Sequence, residues 1–256
     1  MSALLCIGDS HTRLIGSKPE NSRFKYGRLC PAEVPGFRAT HLLSIKGATA
    51  AGFRQKDHQN SPFAKATKAI KRLNPDFLVF GFGQVDAELS CYFVALRDSI
   101  NLESALETRI AKLGSYLDAC KDVADGRPFL IKGLNTSTLH ETAALHRMVA
   151  RNLHQELGLM QRQVVRALRL RKITTDVHRQ LNTKLTTALS DAAQARNFPY
   201  VDLRETTGLK ERPGLSKPSF CAGGTDIHLR LAPEVESGFA QAIANKAKEL
   251  LGTRLS

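Results

Sequence analysis

Residues 6–12 read CIGDSHT, so that an apolar strand leads directly into a glycine, an acid and a serine. Gly8 permits a tight turn at the carboxyl end of this strand. Ser10 would then lie near the start of the following helix, where unpaired backbone N–H groups can stabilise a developing oxyanion. An Asp-Ser pair after a strand is also an ordinary helix N-cap. The stretch by itself therefore leaves a nucleophile and a structural cap equally open.

Apolar, strand-like runs alternate with helical patterns along the rest of the chain. The runs are residues 4–7, 41–45, 77–82, 129–131 and 200–203, and helical spacing covers residues 61–73, 102–124 and 183–196. This alternation predicts a three-layer α/β/α fold with a five-stranded, mostly parallel sheet. Ligands of such sheets collect beyond the carboxyl ends of the strands.

The length of 256 residues predicts one domain, residues 1–256. Residues 136–184 are more than a simple crossover requires, and they predict an insertion of two or three helices. Its cations are Arg162, Arg166, Arg169, Arg171, Lys172, Arg179 and Lys184. One interpretation is a solvated helical face whose apolar stripe packs on the domain. The other is a basic cap that gathers an acidic substrate.

The composition limits the possible partners and the compartment. The 37 Lys and Arg residues against 24 Asp and Glu residues give a net charge of +13, which favours anionic partners. Aromatic residues make up only 6% and no Trp is present, so nucleic acid is disfavoured. The five cysteines form no Cys-x-x-Cys pair, which indicates reduced thiols and no zinc site. The first apolar run is too short for a signal peptide or a membrane span, and we expect a cytoplasmic protein.

A second polar stretch, GTDIHL at residues 224–229, precedes the helix that Pro233 is predicted to start. A serine nucleophile needs a base, and that base needs an acceptor to orient it. Residues two apart in an extended segment point the same way, so Asp226 and His228 could face one pocket. Taken alone, Asp-x-His is more often a surface turn.

Four short blocks follow one another along the chain: GDS at residues 8–10, KGATAAG at 46–52, FGFGQVD at 80–86 and DIH at 226–228. In this order they resemble the SGNH/GDSL hydrolase family. The resemblance implies that Ser10 is the nucleophile, that His228 is its base, and that the N–H groups of Ser10 and Gly47 contribute to an oxyanion hole.

The chain departs from the family pattern in two places. The last block of the family is Asp-x-x-His, whereas here the acid is one residue closer and Thr225 occupies its usual position, so Asp226 takes the acid role. In the third block Val85 stands at the asparagine that donates to the oxyanion, and valine has no side-chain donor. A shift of one residue would let Gln84 supply that amide, with Asp86 shaping the loop or orienting Gln84.

The resemblance implies a serine esterase or O-acyltransferase that forms an acyl-enzyme and uses no metal and no cofactor. The GDSH start and the variant third block resemble SGNH-like proteins encoded among bacterial surface-polysaccharide functions. We therefore expect ester-linked acyl groups, chiefly acetyl, on a carbohydrate or small molecule of anionic character. The remaining site candidates, expected to contact substrate, are His11, Asp86 and Asn135.

Two other functions compete with this prediction. A catalytically impaired SGNH-fold module that binds an acidic carbohydrate or a protein partner would explain both departures. A dinuclear metallophosphoesterase is disfavoured by motif order, since its pattern begins with Asp-x-His and continues to Gly-Asp.

Overall fold

A six-stranded sheet lies at the centre of the computed structural model, which describes residues 2–19, 24–53, 60–212 and 214–252. The strands are β1 (Ser2–Gly8), β2 (Leu29–Ala32), β3 (Phe37–Ser44), β4 (Phe77–Gly81), β5 (Phe129–Lys132) and β6 (Tyr200–Val201). Their order is β2-β3-β1-β4-β5-β6, and every neighbouring pair is parallel except β2–β3. The predicted α/β class with a mostly parallel sheet is confirmed.

The antiparallel edge strand β2 was not predicted. It spans only four residues, and Pro31 interrupts its apolar pattern. Proline lacks the N–H that a central strand needs, so it is confined to edges such as this one. The sheet therefore has six strands where the sequence indicated five.

Helices cover both faces of the sheet. They are α1 (Ala50–Phe53), α2 (Pro62–Leu73), α3 (Cys91–Arg97), α4 (Leu102–Ile110), α5 (Leu113–Ala124), α6 (Thr142–Leu153), α7 (Gln161–Leu170), α8 (Thr175–Gln194), α9 (Arg204–Thr207) and α10 (Pro233–Leu251). Alternate residues of β1 pack in two separate hydrophobic clusters, one on each face of the sheet. Leu5 packs in the cluster that contains residues of α2, α5 and α8, and Leu4 packs in the cluster that contains residues of α10. The three predicted layers follow from this alternation.

The predicted helix over residues 102–124 is two helices, α4 and α5. A turn at residues 111–112 separates them, and their neighbours differ: α4 packs against α3 and α8, whereas α5 packs against α1, α2 and α8. The helix predicted at residues 183–196 begins earlier, since Thr174 caps α8 by accepting from the Val177 N–H.

Residues 136–184 contain α6, α7 and the first half of α8. The apolar stripe predicted here packs inward, with Leu168 and Ile173 buried in one cluster with residues of α6. The cations of α7 are exposed on the opposite side. This packing is what the solvated-face interpretation expects, and it also leaves a basic surface available. No helix among the described residues is long and apolar enough to cross a bilayer.

A small buried cluster joins the two ends of the described chain. Leu14, four residues after Ser10, packs in it with Leu229, which directly follows His228. Phe239 of α10 completes the contact from the carboxyl-terminal side. Residues more than two hundred positions apart in sequence are thereby brought to the same edge of the sheet.

Candidate active site

The serine lies at the carboxyl end of the central strand β1. A single 3-10 turn, Ser10–Leu14, follows the strand, and the Asp9 carboxylate caps it by accepting from the His11 N–H at 3.0 Å. Gly8 is required by crowding, because a Cβ there would lie 2.3 Å from the Gly81 carbonyl oxygen on β4. The Ser10 hydroxyl thus stands on a short, tightly packed corner.

Ser10, His228 and Asp226 form one hydrogen-bonded chain. His228 Nε2 lies 2.9 Å from Ser10 Oγ, and His228 Nδ1 lies 2.8 Å from Asp226 Oδ1. The same carboxylate oxygen accepts from the His228 backbone N–H at 2.9 Å. An aspartate readily makes such a bond to the N–H two residues on. The shortened Asp-x-His spacing is therefore compatible with an oriented imidazole.

Two side chains of residues 136–184 hydrogen-bond to the loop that carries His228. The Thr138 hydroxyl donates to the Asp226 carbonyl oxygen at 3.1 Å, and the Arg151 guanidinium donates to that of Thr225 at 3.3 Å. At the other end of the loop, Leu229 packs in the buried cluster that contains Leu14. The imidazole is thus positioned by contacts on both sides.

The charges at this chain suit proton transfer. Burial lowers the pKa of His228 to about 4, helped by the positive charges of His11 and Arg13 and opposed by Asp226. Burial would raise the pKa of Asp226, but its hydrogen bonds from His228 outweigh burial and lower it. Near neutral pH the imidazole is uncharged and the carboxylate is ionised, which is the state that a general base and its orienting acid require.

The two backbone N–H groups of the predicted oxyanion hole have no protein acceptor among the described residues. In the part of the chain that the structure describes, neither Ser10 nor Gly47 donates its N–H to another group. Gly47 has φ +70°, a conformation that suits glycine. Beneath this loop the Asp86 carboxylate accepts from the Ala50 N–H at 2.6 Å. Asp86 therefore holds the chain that follows β3, a contact that the sequence did not predict.

Gln84 has a more internal environment than predicted. Its Oε1 accepts from the Asn135 N–H at 2.6 Å, and its Nε2 donates to Glu88 Oε1 at 2.8 Å. Gln84 and Glu88 are four residues apart on a helical turn and so share a face. These contacts engage both ends of the amide within the protein.

The residues that we expected to contact substrate are buried: His11, Asp86 and Asn135 are each 1% exposed. His11 faces Asp9 and Glu88, Asp86 faces the loop after β3, and Asn135 accepts from Lys132 Nζ at 3.0 Å. In this structure the three side chains therefore lie beneath the site. Their contact with substrate stays a prediction.

Sequence reasoning missed Glu88 and Lys132. Lys132 ends β5, is 3% exposed and donates to the Gly133 carbonyl oxygen and to Asn135. Burial lowers its pKa to about 8, with Asp9 opposing. Burial raises the pKa of Glu88 to about 7, with His11 opposing. A lysine directly after the apolar residues 129–131, and an acid four residues after Gln84, were the signals available in the sequence.

Comparison with solved structures finds this fold in GDSL/SGNH acylhydrolases and lipases. One similar structure is a Bacteroides fragilis NCTC 9343 protein provisionally described as an acylhydrolase, with 11% identity over 98% of this chain and 88% of that chain, at a TM-score of 0.54. Another is a GDSL-like lipase from Bacteroides thetaiotaomicron VPI-5482, with 11% identity over 97% of this chain and 89% of that chain, at a TM-score of 0.52.

The chain therefore has the SGNH fold that its four sequence blocks predicted. At this level of identity the likeness establishes the fold alone. No family model and no curated protein matches the sequence.

Proposed function

We propose that the protein is a serine esterase or O-acyltransferase that cleaves ester-linked acyl groups through Ser10. The observation that carries the proposal is the chain of contacts from Ser10 Oγ to His228 at 2.9 Å and from His228 to Asp226 at 2.8 Å. A serine hydroxyl becomes a useful nucleophile when a neutral, oriented imidazole takes its proton.

The reaction follows from this geometry. His228 Nε2 takes the Ser10 proton as Oγ attacks the ester carbonyl carbon, and the negative charge on the carbonyl oxygen faces the N–H groups of Ser10 and Gly47. Collapse of this intermediate releases the alcohol, which receives the proton from His228, and leaves the acyl group on Oγ. Water, or a hydroxyl of an acceptor, then attacks the acyl-enzyme in the same way and restores Ser10.

We further propose that the acyl group is short and that its carrier is a carbohydrate, anionic in character. Two cavities, of about 530 and 640 Å³, lie elsewhere on the molecule, and neither is lined by Ser10, Asp226 or His228. An acyl group at Ser10 therefore gains no deep apolar pocket from either of them. The exposed cations of α7 and the net charge of +13 favour an acidic carrier.

Hydrolysis of p-nitrophenyl acetate and octanoate, with labelling by a fluorophosphonate, tests the proposal. We expect the acetate to be preferred, and Ser10→Ala or His228→Ala to lower kcat by about 10⁴-fold or more. Ser17→Ala, at an exposed serine seven residues away, serves as the matched control and should retain full activity. Ser10 labelling that vanishes in Ser10→Ala supports an enzyme.

A well-folded protein that is neither labelled nor active would instead favour the non-catalytic module. One observation points that way. Gln84 Nε2 donates to Glu88 and Oε1 accepts from Asn135, so at most one amide hydrogen of Gln84 stays available to an oxyanion beside the two backbone N–H groups. Loss of one such donor typically lowers kcat by about 10²–10³-fold.

A further inference from the structure

A second histidine lies buried between two carboxylates beneath the proposed base. His11 Nδ1 is 3.2 Å from Asp9 Oδ1, and His11 Nε2 is 3.5 Å from Glu88 Oε2. None of the three side chains is more than 2% exposed. Both ring nitrogens therefore face oxygen atoms that accept protons and, when ionised, cannot donate them.

Hydrogen bonds around this histidine leave one oxygen of each acid facing its ring. The Asn135 N–H donates to Gln84 Oε1, and this orients the amide so that Gln84 Nε2 donates to Glu88 Oε1. The Gln84 backbone N–H donates to Asp9 Oδ2 at 3.2 Å. Each acid thus accepts from Gln84 with one oxygen and offers the other to His11. A proton on Nδ1 completes the hydrogen bond to Asp9. The 3.5 Å between Nε2 and Glu88 Oε2 is an ion-pair distance, and neither atom has a hydrogen-bond partner among the described residues.

The ring of His11 also stacks on the ring of the proposed base. The centroids of His11 and His228 are 4.6 Å apart, with an angle of 29° between the planes. One face of His228 is therefore covered, and this restricts the ring rotation that would break its contacts with Ser10 and Asp226. A charge on one ring acts on the other at close range.

We propose that His11 is a positioning residue, held as an imidazolium by Asp9 with Glu88 beside it, which fixes the ring of His228 and disfavours protonation of that base. This proposal rests on the proposed function, since it concerns the same Ser10–His228 chain. It assigns a role to a residue that the sequence had suggested for substrate contact.

The surrounding charges agree with this assignment. Burial alone would lower the pKa of His11, but the Glu88 charge and the hydrogen bond to Asp9 outweigh burial and raise it, with Lys132 acting against them. At His228, burial comes first, and His11 and Arg13 add positive charges that also lower the pKa.

Asp226 is the group that opposes them at His228, through its hydrogen bond and its charge. Burial and the two positive charges outweigh Asp226, so His228 stays uncharged at a pH where an ordinary histidine would be protonated.

NMR titration of the imidazole rings tests the proposal without any requirement for activity. In the unmodified protein at about pH 6, below the ordinary histidine pKa, we expect the His11 ring to carry two protons and the His228 ring to carry one. A neutral His11 ring at that pH would overturn the proposal. Because no variant is needed, this measurement stands even if a substitution at position 11 impairs folding.

The second measurement is the pH profile of kcat/KM for His11→Gln. Glutamine can still donate to Asp9 but carries no charge, so the acid limb should move upward by about 1–2 pH units. His41→Gln, at a partly buried histidine of β3, is the matched control and should leave the limb in place. A lower kcat at every pH with an unmoved limb would show that His11 is merely structural.

The two proposals fail in different ways. If no ester is hydrolysed, the proposed function fails, while the ring titrations still decide the state of His11 and His228. If hydrolysis is normal but His11 is neutral at about pH 6, only the positioning role fails.

Discussion

Truncation of Leu229 tests whether the buried cluster at the chain ends holds the proposed base in place. Leu229 is 1% exposed and packs with Leu14, Leu203, Val235 and Phe239. Leu229→Ala removes a buried side chain and leaves a cavity, a change that costs about 2–5 kcal/mol of unfolding free energy. We expect about 3 kcal/mol, because the Arg230 N–H bond to the Phe220 carbonyl oxygen, 2.7 Å long, still holds the loop backbone.

Urea unfolding followed by circular dichroism measures this effect. With a slope of about 3 kcal/mol per molar urea, the midpoint should fall by about 1 M. Leu231→Ala is the matched control, because Leu231 lies two residues along the same loop and is 51% exposed. Its unfolding free energy should change by no more than about 0.5 kcal/mol.

Activity gives a second measure of the same perturbation. We expect Leu229→Ala to lower kcat/KM for a short ester well below that of Leu231→Ala, since a loosened loop no longer holds His228 at Ser10. Equal urea midpoints for the Leu229 variant and the unmodified protein, or equal losses in the two variants, would refute the idea that this cluster joins the chain ends.

Two further predictions concern the base and the strand corner. Burial, followed by the His11 charge, lowers the pKa of His228 to about 4, and a general base works only when neutral. We therefore expect kcat/KM to stay level from neutral pH to about 5 and to fall as the pH drops through about 4. A fall centred at the ordinary histidine pKa of about 6.5 would contradict this. Gly8→Ala would place a Cβ 2.3 Å from the Gly81 carbonyl oxygen, so β1 and β4 must separate and the melting temperature should fall by about 10 °C. A melting temperature within about 2 °C of the unmodified protein would show that this contact gives way easily.

The sequence by itself determined the class of fold. Apolar runs that end in small or polar residues predicted five of the six strands, because a strand buried on both faces needs continuous apolar character. It also singled out Ser10, Asp226 and His228, because a serine nucleophile needs a base and that base needs an acceptor, and because their blocks resemble the SGNH/GDSL pattern. Spacing alone could not say that Asp226 reaches both the ring and the backbone N–H of His228.

Tertiary structure alone decided which polar side chains face the site and which lie beneath it. His11, Gln84 and Asn135 follow strands, as substrate contacts would, yet all three are buried in the network around Glu88. Nothing local distinguishes these two outcomes, because a side chain's direction at a loop depends on what the rest of the chain packs against it. For the same reason the stacking of His11 on His228, between residues far apart in sequence, exists only once the chain ends have met.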